Sequence, residues 1–208
     1  MTDPGWPAVL RHGEITLRPL RPTDERAWRE ARSTSAAWLS RWEATVPPGA
    51  EPRPMTFRAM VRGLRRRARE GSTYPFALLV DGRFAGQVSV NNIVRSSGQY
   101  ASVGYWIDER YAGRGLMPRA VAMVIDHCLT TAGLHRLEIA IRPENTNSLR
   151  VVEKLGLREV GFFPRFLHID GAWRDHRIYA ITVEEWPPGG LLGRVEAAEG
   201  SAPHQSHE

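Results

Sequence analysis

Two glycines, Gly113 and Gly115, stand between a β-branched and aromatic run and a stretch of helical periodicity. The run Val103-Gly-Tyr-Trp-Ile107 reads as a strand that stops at Asp108-Glu109, and the helix-like pattern starts directly after Gly115. Strand, glycine turn and helix in that order make an anion cradle. Glycine lets backbone N–H groups approach a ligand closely, and a helix start carries N–H groups without an intrahelical acceptor. The chemistry this suits is capture of a phosphate-bearing ligand. Pro118 has no N–H, so the free amides come from Gly113 to Met117. Arg114 and Arg119 flank the turn and are placed to meet phosphates.

Two familiar phosphate binders fit poorly. A P-loop needs lysine and then serine or threonine after its glycines, whereas Leu116-Met117 follows Gly115 here. A dinucleotide fold wants its glycine turn near the start of the chain and an acidic residue about twenty positions on. This turn lies mid-chain, after what reads as an antiparallel meander.

The elements that must position the turn follow from periodicity. Glu14 to Leu20 alternates and reads as a first strand. Thr23-Asp24 signals a helix start before Ala27, Trp28 and Ala31. Residues 47–54 read as a loop, and Thr56 to Glu70 as a second helix with Met60, Val61, Leu64 and Ala68 on one face. Phe76–Val80 and Phe84–Ile93 are strands joined by the hairpin signal Asp81-Gly82. Pro118 sits just inside a helix that runs to Gly133. A strand (Leu137–Ile141), a helix (Thr146–Leu155, stopped by Gly156) and two strands (Gly161–Ile169 and Arg177–Val183) complete the pattern. The expected fold is α/β: a single domain with a central mixed, mostly antiparallel sheet flanked by helices. Residues 1–13 read as a loose lead-in, 14–186 as the domain and 187–208 as a disordered tail.

Composition narrows the class. With 208 residues, 42% hydrophobic and 25% charged, the chain suits one soluble globular domain. No run approaches a membrane span, and the start lacks a signal-peptide pattern, so a cytoplasmic protein without membrane attachment is expected. One cysteine, Cys128, excludes an internal disulfide and a cysteine-based metal cluster, and no metal site is expected. The net charge of +5 is carried by arginine, since Lys154 is the only lysine. It favours an anionic ligand or RNA-rich partner; no specific DNA partner is expected. Arg62, Arg65, Arg66, Arg67 and Arg69 read first as a solvated helix face, with a dock for RNA as the alternative, testable by salt-dependent binding.

Several blocks in order resemble the GNAT acetyltransferases, in particular the RimJ/RimL type that acetylates N-termini of ribosomal proteins. They are Asn92-Ile-Val-Arg95, Gly104-Tyr105, Gly113-Arg-Gly-Leu-Met117, His135-Arg136, Leu155-Gly-Leu157 and Ile169-Asp-Gly-Ala-Trp-Arg-Asp-His176. The resemblance covers roughly residues 14–188. The last block is the most specific, because no generic fold demand dictates it. The family's acyl-CoA turn fits in two frames: Arg110, Gly113 and Gly115, or Ala112, Gly115 and Met117. The second agrees with the position of Pro118.

The resemblance implies acetyl-CoA as co-substrate, held by Ala112, Gly113, Arg114, Gly115, Leu116 and Met117. It implies that Tyr105, Trp106 and Ile107 pair with the pantetheine arm and offer a donor to the thioester carbonyl. Asn145 and Ser148, spaced as a helix cap, take on further roles: Asn145 holds the pantetheine and Ser148 protonates the departing thiolate. Many GNAT proteins use a tyrosine seven residues after this asparagine, where Val152 stands here. The glutamate that serves RimL-type enzymes as base aligns with Leu167, so that role does not carry over. Asp108, Glu109, His168, Asp175 and His176 remain as bases, histidine having the best suited unshifted pKa. Trp38 and Trp42 fit either an acceptor groove or the core. Three functions follow: acetylation of a protein N-terminus (a ribosomal protein being the family's suggestion), acetylation of a small amine, or acyl-CoA binding without catalysis. The oligomeric state stays open, a dimer included.

Overall fold

The computed structural model describes residues 4–51 and 55–200. Residues 52–54 of the expected loop and 201–208 of the expected tail lie outside the described residues, as do 1–3. Eight strands form one sheet: β1 (Leu10–His12), β2 (Ile15–Pro19), β3 (Thr73–Val80), β4 (Arg83–Val94), β5 (Tyr100–Ile107), β6 (Arg136–Ile141), β7 (Arg158–Ile169) and β8 (Ala172–Thr182). Their spatial order is β1-β2-β3-β4-β5-β6-β8-β7. Only β5 and β6 run parallel; this is the mixed, mostly antiparallel α/β sheet the sequence implies. Asp81 (φ 47°) and Gly82 (φ 75°) both take left-handed geometry, as the two-residue β3–β4 turn requires.

Six helices pack around the sheet: α1 (Glu25–Thr34), α2 (Ala36–Leu39), α3 (Phe57–Arg69), α4 (Leu116–Thr130), α5 (Thr146–Leu155) and α6 (Gly190–Gly200). Helix α4 is buried along most of its length, from Leu116 to Leu129, and joins the sheet's core residues Tyr74, Phe76, Val88 and Leu137. Apolar positions on nearly all sides mark a helix wrapped by protein. Helix α3 is one-sided: Phe57, Val61 and Ala68 face inward, while its arginines stand in solvent.

The feature that makes a site is a split in the sheet. β5 and β6 pair only through Tyr100–Arg136, Ala101–Leu137 and Ser102–Glu138. Beyond that point β5 stays on β4 as far as Ile107–Gly86, and β6 stays on β8 as far as Ile141–Arg177. The two halves part, and the β6-facing backbone of Val103 to Ile107 is released from pairing with its neighbour.

Three local expectations change. The lead-in belongs to the fold: β1 pairs with β2, and Trp6 stacks on Tyr74 with ring centroids 5.5 Å apart. Asp24 does not cap α1 through its side chain; its carboxylate takes both guanidinium arms of Arg18, at 2.7 and 2.8 Å. The tail is helical over Gly190–Gly200, with Leu191 and Val195 buried in the core. The cause is tertiary. Asp126 of α4 accepts hydrogen bonds from Leu191 N (2.9 Å) and Leu192 N (3.0 Å), capping the helix from outside its own sequence. Among the described residues no helix is long and apolar enough to cross a membrane.

Candidate active site

Asp108 directly follows β5 and is fully buried. Its carboxylate accepts the Arg110 guanidinium (2.6 Å), the Arg110 amide (3.0 Å) and the Ser35 hydroxyl (3.2 Å). Burial alone would raise its pKa; the bonds and charge of Arg110, helped by Ser35, bring it below the ordinary value. This network fixes the chain as it leaves β5 for the glycine turn. A depressed carboxyl contributes stability above the unfolded pKa of about 3.9, and that contribution is lost as pH falls through the folded value. Asp108→Ala is therefore expected to destabilise the fold at pH 7 by about 2–4 kcal/mol. The gap to wild type should close in urea melts at progressively lower pH; an equal gap at every pH would remove the charge from the explanation.

After the network the chain makes a 3-10 turn and reaches Gly113 (φ 77°) and Gly115 (φ 71°). Gly115 is the N-cap position of α4, so the amides of Leu116 and Met117 lie in the first turn, where no intrahelical acceptor exists. A Cβ built on Gly113 meets nothing within 4 Å, so the space over the turn is open to a ligand. A Cβ on Gly115 would come within 2.5 Å of the Glu199 carboxylate of α6. That carboxylate also lies 3.8 Å from Lys154 and 3.9 Å from Arg119.

A cavity of about 540 Å³ opens here, a size typical for a small-molecule site. It brings together Tyr105, Trp106, Ile107, Ala112, Gly113, Gly115, Leu116, Met117, Asn145 and Ser148. Arg114 is not among the lining residues; its guanidinium pairs with Glu14 at 2.7 Å and lies over the Tyr111 ring. Arg110 is likewise held elsewhere, by Asp108 and Glu30, so the frame Ala112, Gly115 and Met117 matches the lining and the frame starting at Arg110 does not. Trp38 and Trp42 both line the cavity.

A second cavity of about 150 Å³ occupies the split between β5 and β6. Trp42, Tyr105, Asn145 and Ser148 line both spaces. Asn145 caps α5 through its side-chain oxygen, which accepts from Ser148 N at 3.1 Å. The Tyr105 hydroxyl donates to the Ser148 carbonyl at 3.4 Å. Burial pushes this phenol far above its ordinary pKa, so it stays protonated.

The five base candidates separate sharply. Asp108 is spent on Arg110 and Ser35. Glu109 has an exposed side chain, and its amide bonds to Ser35 Oγ. His168 Nδ1 is held by Thr45 Oγ1 at 2.8 Å, and Asp175 accepts from Arg165 N at 2.7 Å. His176 alone of the five lines either cavity, in the second one. Leu167 lines neither and is exposed.

Several lining residues escaped sequence reasoning. Arg150 and Lys154 reach the large cavity from α5, one turn apart; their i, i+4 spacing with Asn147 on the same face was the available signal. Arg32 and Glu43, paired with each other, line it too, and the Arg32 guanidinium lies 5.3 Å from the Trp106 ring centre. Nothing local to either residue marks that role.

Residues 14–158 match the Acetyltransferase (GNAT) domain family. The ribosomal protein uS5-alanine N-acetyltransferase of Escherichia coli K12 is 30% identical over 170 residues, covering 80% of this chain and 87% of that one. A solved structure of Mycobacterium smegmatis RimJ in complex with CoA-disulfide superposes with a TM-score of 0.86 at 37% identity, covering 94% of this chain and 97% of that one. A ribosomal-protein-S5-alanine acetyltransferase from Vibrio fischeri gives a TM-score of 0.75 at 25% identity, over 87% of this chain and all of that one (100%). Split sheet, glycine cradle and these likenesses together define an acetyl-CoA-dependent N-acetyltransferase. The chain belongs to the GNAT acetyltransferase family and is of its RimJ/RimL type.

Proposed function

We propose that this enzyme acetylates the N-terminal α-amine of a protein, a ribosomal protein being the favoured acceptor, in the cytoplasm. The observation that carries this reading is the likeness to the E. coli uS5-alanine enzyme, which extends over 80% of the chain. Acetyl-CoA, when bound, supplies an acyl carbon activated as a thioester. The chain's residues do the rest. The amides from Gly113 to Met117, in the turn and the start of α4, hold the pyrophosphate, with Arg150 and Lys154 on the rim. The freed backbone of Tyr105 to Ile107 takes the pantetheine arm and donates to the thioester carbonyl, where charge builds during transfer. Asn145 holds the arm through its amide. Ser148, in the first turn of α5, gives its hydroxyl proton to the departing sulfur while the positive helix end stabilises that sulfur.

A small-amine acceptor is the second reading. The E. coli spermidine N(1)-acetyltransferase is 28% identical over 103 residues, but this covers only 48% of the chain. A thiol-release assay with alanine- and serine-starting peptides, spermidine and free amino acids separates them. The expected result is a kcat/KM for an alanine-starting peptide about 10²-fold or more above any small amine. Turnover of small amines alone would sink the proposal. Tight acetyl-CoA binding with no turnover on any acceptor would favour a non-catalytic module.

A further inference from the structure

We propose that His176 is the general base of this enzyme, its Nε2 taking the acceptor amine's proton in the small cavity it shares with Ser148. The inference rests on the acetyl-transfer reading above and supplies the group that reading lacks.

Geometry carries it. His176 lies on β8 opposite Phe163 of β7 and is only 4% exposed. Its Nδ1 sits 3.0 Å from the Arg174 carbonyl oxygen. A carbonyl only accepts, so the ring proton is on Nδ1 and the Nε2 lone pair is left for work. His176 borders the 150 Å³ space in the split sheet, together with Ser148, Tyr105 and Asn145. The base and the proposed acid therefore border one cavity, which shares four lining residues with the larger one, as a transfer with one proton removed and one delivered requires.

Electrostatics agree. Burial pushes the imidazole below its ordinary value; the Arg174 carbonyl raises it, Arg142 lowers it, and Asp175 and Glu144 raise it, with the net shift downward. Phe166 of β7 adds an apolar edge, its ring 5.8 Å away. The ring is thus neutral at pH 7 and ready to accept. An α-amine of pKa about 8 is a weaker acid than this imidazolium. Hence the proton moves as the C–N bond forms, when the attacking nitrogen gains positive charge. The amine nitrogen bonds to the acyl carbon and the carbon–sulfur bond breaks. One N–H proton goes to His176 Nε2, and the sulfur takes the Ser148 hydroxyl proton. The imidazolium returns its proton to Ser148 through solvent.

The test is a pH profile of kcat/KM for wild type and His176→Gln, measured on an alanine-starting peptide. If wild type turns over only spermidine, the N-terminal reading fails and the same profile on spermidine still tests the base. The expected result is a fall of about 10²-fold or more at pH 7 and loss of the break that lies below the ordinary histidine value, leaving only the acceptor amine's own break at about 8. Acetyl-CoA Kd should stay within about twofold, since the variant removes no cofactor contact. Wild-type kcat/KM with that lower break intact would overturn the proposal. Should His176→Gln fail to fold, ¹⁵N NMR of the wild-type histidines decides. The His176 ring should carry its proton on Nδ1 and titrate below the ordinary histidine value. A proton on Nε2, or titration at or above about 6.5, would remove His176 as the base.

Discussion

Ser148→Ala is expected to lower kcat by about 10²-fold or more while the Kd for acetyl-CoA moves less than about twofold. The substitution is unusually clean. The cap at this helix start runs from the Ser148 backbone N–H to Asn145 Oδ1, so an alanine keeps it. Alanine is also the better helix former. What disappears is one hydroxyl on the wall common to both cavities. Val152 occupies the position where many GNAT proteins carry a tyrosine acid, so no second hydroxyl stands there to take over. Tyr105 is near, but its phenol is committed to the Ser148 carbonyl, and its raised pKa makes it a poor acid for a thiolate. Steady-state kinetics and calorimetry on the same preparation separate the two quantities. An unchanged kcat would take Ser148 out of the chemistry and leave it as a wall residue. Asn145→Ala should behave differently, with a cap loss of about 1 kcal/mol in stability, because there the side chain makes the bond.

The cradle was legible because its causes are local. Two glycines, a proline with no amide to offer and a helical pattern act within a few residues of one another. The base was not legible, for the opposite reason. Asp108, Glu109, His168, Asp175 and His176 are all of residue types that can take a proton, and only the contacts each makes in the fold tell them apart. Asp108 is spent because Arg110 turns back onto it and Ser35, on the α1–α2 connection, folds against it. His168 is spent because Thr45 comes alongside. His176 keeps a lone pair because its own strand supplies the Arg174 carbonyl. The same limit hid Arg32 and Glu43, whose place at the cavity depends on α1 lying beside β4 and Trp106. The tail followed this logic too. Gly, Pro and charge after Trp186 read as disorder, yet the helix there takes its cap and its apolar seat from α4.

Asp126→Ala tests that seat, and a loss of about 2–4 kcal/mol is expected. The carboxylate holds Trp186 Nε1 at 2.7 Å as well as the amides of Leu191 and Leu192. Removing it strips the helix of its only side-chain cap among the described residues and leaves a half-buried indole donor without its acceptor. For a chain of this size the melting temperature should fall by about 5–10 °C. Amide exchange should locate the loss in α6 rather than in β3 or β4. The consequence extends to the cradle, because α6 carries Glu199 to Gly115, Lys154 and Arg119. Once the helix is loosened, both cations lose a carboxylate partner at the mouth of an anion site. Acetyl-CoA should then bind about two- to fivefold tighter at low salt, with the gain fading as salt screens the rim charges. Full exchange protection of α6 in the variant would show that Leu191 and Val195 hold the helix without the cap, and the expected fall in melting temperature would be absent with it.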